Sequence, residues 1–142
     1  MNSGFILALT AALLWGASYT LSAKVLKGVE PLVMLPIASV FRLLWFTCLF
    51  ALFARDKISQ LSMKSVGLIG IETFFSTAAT LAIMTAITRI GASRASLLEI
   101  SYPIFVVVLS ALFMRTPITA NMLIGGLIVL LGVAIISGDS HV

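Results

Sequence analysis

Charge is what this sequence has least of: Lys, Arg, Asp and Glu make up 10% of its 142 residues, against about a quarter in water-soluble domains. A folded globule cannot be covered with so few ionised groups, so a soluble domain is excluded. There is one cysteine, Cys48, and one histidine; no internal disulfide can form and no cluster has metal-ligand spacing. Zinc and thiol redox chemistry fall away. With no nucleophile and base pair in sight either, nothing points to an enzyme, a metal or a cofactor. Low-complexity tracts and long polar linkers are missing too, so a single domain, residues 1–142, takes up the whole chain.

What is present is apolar: 61% hydrophobic residues and a mean hydropathy of +1.19. The basic excess, nine Lys/Arg against five Asp/Glu, reads as loops beside anionic lipid and not as a nucleic-acid surface. A bilayer-crossing helix needs about 20 mainly apolar residues. The rare charges divide the sequence into five such stretches, with cores at residues 5–22, 32–53, 66–87, 95–113 and 118–137. The start, Met1 to Gly4, lacks the basic side chain of a cleaved signal peptide, so the first stretch reads as a retained span. Gly28 and Pro31, the polar run Arg55 to Lys64, Gly91 and Pro117 mark the connectors. The fold class is therefore an all-α, multi-pass membrane bundle, expected in the cell (inner) membrane.

Five crossings put the two ends on opposite faces. The face on which the chain starts carries Arg55, Lys57, Lys64 and Arg115; the other carries Lys24, Lys27, Arg89 and Arg94. Orientation follows the difference in Lys/Arg between short loops, and here there is none. One reading is that the free N-terminus or the dense Arg55 to Lys64 loop fixes the first face in the cytoplasm. The other is dual topology, with two copies paired antiparallel as an inverted repeat of ten helices.

Three ionisable residues fall within spans, where a charge costs about 2.5 to 3.5 kcal/mol and turns toward a partner or a wet cavity. Arg42 lies some 16 Å past Pro31, near the middle of a core about 30 Å thick. Glu72 and Glu99 enter from opposite faces, each within reach of that level. Helical spacing puts Ser76 beside Glu72, and Ser96, Tyr102 and Pro103 beside Glu99. Such stripes form a hydrated cleft if turned inward, with Trp15, Tyr19, Trp45 and Tyr102 as aromatic walls. The plainer alternatives are an ion pair of Arg42 with Glu72 or Glu99 that fixes helix register, and a Glu99 that counters Arg94 or a helix dipole. Two acids against one base favour a cationic or zwitterionic solute, or a proton.

In the last span Gly125 and Gly132 share an uncharged face suited to close helix packing, within the chain or between two copies. Pro36 and Pro103 each remove a backbone donor inside a span, and Pro103, one turn past Glu99, is a candidate hinge.

These residues resemble one EamA-like repeat of the drug/metabolite transporter superfamily. Leu14-Trp15-Gly16-Ala17-Ser18 is similar to the first-helix Trp-Gly pattern, Lys24 to the lysine closing that helix and Arg42 to the second-helix arginine. Ala86 to Ser93 followed by Ser101-Tyr102-Pro103-Ile104-Phe105 is similar to the progression into helix four. Leu123-Ile124-Gly125-Gly126 and Leu131-Gly132-Val133 are similar to the glycine-rich last helix. The resemblance implies a secondary transporter or exporter of a small metabolite or drug-like solute. Typical members join two repeats, so it also implies a homodimer or a heterodimer with a related half. The Gly-Glu that often closes helix four is Arg115-Thr116 here. In this reading Arg42 organises the cleft, Glu72, Glu99 and Ser76 bind proton or solute, and Trp15 and Tyr102 line it. Gly125 and Gly132 would then pack the dimer. The alternative is a non-transporting membrane subunit that stabilises a larger partner.

Overall fold

The computed structural model describes residues 3–138; residues 1–2 and 139–142 lie outside the described residues. Helices α1 (Ser3–Val25) and α2 (Pro31–Phe53) are followed by a 3-10 segment (Arg55–Gln60) and then α3 (Met63–Ile90). The remaining helices are α4 (Ala92–Glu99), α5 (Tyr102–Met114) and α6 (Ala120–Gly138). With α4 and α5 taken as one interrupted span, five stretches are long and apolar enough to cross a membrane. No strand occurs among the described residues. The molecule is an all-helical membrane protein.

Capping explains where the helices depart from the expected bounds. Ser62 accepts the Ser65 backbone N–H at 3.1 Å on its Oγ, which starts α3 three residues ahead of the expected core at 66. Thr119 does the same for Met122 at 3.3 Å, so α6 begins after this cap, at Ala120, and Pro117 stays in the connector.

Between α3 and α4 a single residue turns the chain. Gly91 holds φ 79° and ψ 159°, backbone that only glycine adopts freely. Its N–H donates to the Ile87 carbonyl at 3.0 Å and its own carbonyl accepts from Ala95 at 3.1 Å. One residue thus caps both helices. At the end of α5, Arg115 takes up the left-handed conformation, φ 54°, as a helix-closing glycine would. The position where the resembling family often has glycine is thus one where this backbone asks for it. Arg115→Gly is expected to stabilise the protein by about 0.5 to 1 kcal/mol, read as a higher melting temperature in detergent; an unchanged or lower value would mean the arginine side chain outweighs its backbone strain.

The helices pack together at one end. Met84, Ile87 and Ala95 are 2%, 4% and 1% exposed, and Tyr19, Ala23, Met34 and Leu35 press against them. That places the packed end at the end of α1, the start of α2, the end of α3 and the whole of α4, which touches α1, α3 and α6. Small residues, Ser22 and Ala95, are buried there and let backbones approach. Toward the starting face the helices separate. Trp45, Phe53, Phe74 and Phe113 are all well over half exposed, a surface that lipid or further helices must cover.

Candidate functional site

Trp15 and Tyr19 stand one turn apart on α1, as an i, i+4 pair must, with ring centroids 5.5 Å apart at 53°. Span four supplies the opposing group. Pro103 has no N–H to offer the Glu99 carbonyl and disfavours helical geometry in the residue before it. The helix accordingly stops at Glu99 and resumes at Tyr102. The turn between them is held by Ser101, whose Oγ donates to the Leu98 carbonyl at 3.0 Å. Pro103 thus opens α5 and does not bend a continuous helix, whereas Pro36 lies inside an unbroken α2.

At that interruption the Tyr19 hydroxyl donates to Glu99 Oε2 at 2.6 Å, a length typical of O–H···O⁻ bonds. Both residues are half-buried, and Tyr102 lies within electrostatic range of Tyr19. The result is one half-buried carboxylate bonded to Tyr19, with the Trp15 ring beside that of Tyr19 and Tyr102 opening the next helix. A half-buried carboxylate there is a negative charge less screened by water than an exposed one, which favours a cation nearby.

Of the residues expected to form a site, Glu99, Trp15 and Tyr102 gather here, and the others do not. Arg42 is exposed on α2 and Glu72 on α3; neither side chain has a hydrogen-bond or ion-pair partner among the described residues. The proposed register-fixing bridge to Arg42 is not formed. Ser76 is exposed and turns its hydroxyl to the Thr73 carbonyl at 3.2 Å, while Thr73 and Thr80 likewise bond back to Ile69 and Ser76. This is how a helix hides hydroxyls from oil, so the α3 stripe is not committed to an aqueous path. Arg94 Nη2 donates to the Ile136 carbonyl of α6 at 3.3 Å, and Glu99 is held by Tyr19. Gly125 and Gly132 have open space where a Cβ would stand, whereas Gly126 faces Ile104 of α5 at 3.5 Å. Within the chain it is thus Gly126, and neither Gly125 nor Gly132, that faces a neighbouring helix.

Tyr19 was legible only as an aromatic wall. Its four-residue spacing from Trp15 was visible, but its partner lies 80 residues away. Two clefts open at the packed end. One, of about 730 Å³, lies between the α1–α2 connector and the end of α3; the other, of about 860 Å³, lies between α4 and the end of α6. Neither is lined by Arg42, Glu72, Glu99, Trp15 or Tyr102.

A family model described as the EamA-like transporter family matches residues 2–138. An uncharacterized transporter of Archaeoglobus fulgidus is 27% identical over 144 residues, covering 99% of this chain and 49% of that protein. The chain thus spans about half the length of the curated relative it matches. No solved structure matches it.

Proposed function

The chain belongs to the EamA-like transporter family, and on that premise we propose that it is one half of a secondary transporter for a small cationic or zwitterionic solute, driven by proton exchange at Glu99. The observation that carries this reading is the half-buried Glu99 carboxylate, held at 2.6 Å by Tyr19 at an interruption of span four. A proton and a cation compete for such a group, which is what coupling requires. Trp15 and Tyr102 supply ring faces that attract a cation, and the Glu99–Tyr102 interruption, with Pro103, is the hinge. Arg42 and Glu72, exposed and unpaired in a single copy, would meet the solute only within a pair.

A second half completes the cleft. That is supported by the separated helices, by a relative about twice as long and by the open space at Gly125 and Gly132. The second half is a further copy of this chain, paired antiparallel, or a related chain; the balanced loop charges suit the former.

Uptake of organic cations into proteoliposomes under an imposed pH gradient tests the reading. Alongside it, Ser76→Cys in a Cys48→Ala background should react with a water-soluble maleimide, and transported solute should slow that reaction. A Ser76→Cys that is shielded throughout, with no uptake, would favour a non-transporting subunit whose stripe meets lipid or a partner. The back-bonded hydroxyls of α3 are the one observation on that side.

A further inference from the structure

The cleft of about 730 Å³ beside the end of α3 has a composition that the transport reading does not use. Its walls carry three ionisable groups, Lys27, Glu30 and Arg89. All three are exposed, and none of their side chains has a partner among the described residues. The hydroxyls in the same cleft are already engaged: Thr85 donates to the Leu81 carbonyl at 2.8 Å and Thr88 to the Thr85 carbonyl at 2.7 Å. The rest is apolar, with Leu26, Leu32 and Leu81 prominent.

The cleft also has a direction. With 28 residues, α3 is about 42 Å long, some 12 Å more than a hydrocarbon core, so its last turn, with Arg89, emerges at headgroup level. Leu81, Thr85, Thr88 and Arg89 follow helical spacing on one face. Leu81 therefore lies about 12 Å deeper than Arg89, inside the oil. The threonine hydroxyls, their protons committed to backbone carbonyls, have only lone pairs to offer a sugar-like or nucleoside-like solute. An amphiphile with an ionised head and an apolar tail fits both the charges and the gradient along the cleft.

From this arrangement we infer that the cleft between the α1–α2 connector and the end of α3 binds a phospholipid whose headgroup joins a phosphate to a free ammonium, as in phosphatidylethanolamine. Lys27 and Arg89 take the phosphate, Arg89 as a planar multiple donor, and Glu30 accepts from the ammonium. The first acyl carbons lie along Leu32 and Leu81. A phosphatidylglycerol head offers Glu30 only a neutral hydroxyl and leaves the carboxylate charge uncompensated, and a quaternary ammonium has no N–H to give it.

The test is native mass spectrometry of the delipidated full chain in detergent, titrated with phosphatidylethanolamine, phosphatidylglycerol and phosphatidylcholine. Wild type should retain phosphatidylethanolamine about ten-fold more tightly than phosphatidylcholine, the scale of one charge-assisted hydrogen bond. Arg89→Gln and Lys27→Gln should each weaken retention of all three lipids by about ten-fold, because all three carry the phosphate those side chains bind, and Arg89→Lys should recover part of it. Glu30→Gln should keep binding but lose the preference over phosphatidylcholine and phosphatidylglycerol alike. All three side chains are exposed, and helicity by circular dichroism checks that the four variants fold. Equal retention of the three lipids by wild type, or Arg89→Gln behaving as wild type, overturns the proposal. Glycerophosphoethanolamine, the same head without its chains, should not compete at matched concentration; if it does, the occupant is a soluble phosphate ester and the lipid assignment is wrong. Transport is not read in any arm, so this result and the failure of the Glu99 reading are separable.

Discussion

Glu99→Gln should reduce pH-driven uptake in proteoliposomes by roughly a hundred-fold, the scale of about 3 kcal/mol for losing a charged hydrogen-bonding partner, and abolish its dependence on the imposed gradient. Glutamine is the informative replacement because its amide oxygen can still accept from Tyr19, now 2.6 Å from Glu99 Oε2. The link between α1 and span four survives; the exchangeable charge does not. A variant that melts like wild type and still fails to transport locates the defect in the charge. Tyr19→Phe leaves the carboxylate and removes its donor, so a smaller loss, about ten-fold, is expected, with the dependence on the imposed gradient retained. Glu72→Gln should change uptake by less than either, since Glu72 is exposed and unpartnered on α3. Unimpaired uptake by Glu99→Gln would end the coupling proposal, and a loss confined to Glu72→Gln would move the proton site to α3.

Gly91→Ala should destabilise the fold by about 1 to 3 kcal/mol, the cost of a side chain at φ 79° and ψ 159°. Nothing within 4 Å would meet the added Cβ, so the whole cost is backbone. The consequence spreads because this residue joins the two helices whose contact forms the core: Met84 and Ile87 on α3 lie against Ala95 on α4. Relaxing φ at residue 91 swings α4, and with it Glu99, away from α1. A melting temperature in detergent lower by about 3 to 10 °C is expected. Gly28→Ala is the control, since that glycine is equally uncrowded but is not in the positive-φ region. If both variants melt alike, the turn at Gly91 is not what sets the α3–α4 angle.

The two predictions differ in how far the sequence foresaw them. Glu99 stood out by its depth in an apolar run, and Pro103 by its distance from it, because the cost of a charge or a missing N–H in oil depends on local sequence alone. Gly91 was visible as punctuation between spans, and Arg115 as a departure from the resembling pattern. That both have positive φ is a property of how flanking helices must meet. Arg42 shows the reverse. Its depth suggested an acidic partner, but Arg42 is exposed on α2 and pairs with neither Glu72 nor Glu99, because helical periodicity ranks faces only relative to one another and does not say which one a neighbour covers.

Composition and hydropathic length by themselves determined that this is a membrane protein of five helical spans, since a backbone in oil can satisfy itself only within helices and needs about 20 residues to do so. They also picked out the few ionisable groups that had to be accounted for. Tertiary structure alone decided which of these groups meet: it joined Tyr19 to Glu99, buried Ala95 between helices, left Gly125 and Gly132 facing open space and gathered Lys27, Glu30 and Arg89 around one cleft. Those are contacts between residues far apart in the chain, fixed by the angles at which helices leave their turns, and no local pattern encodes them.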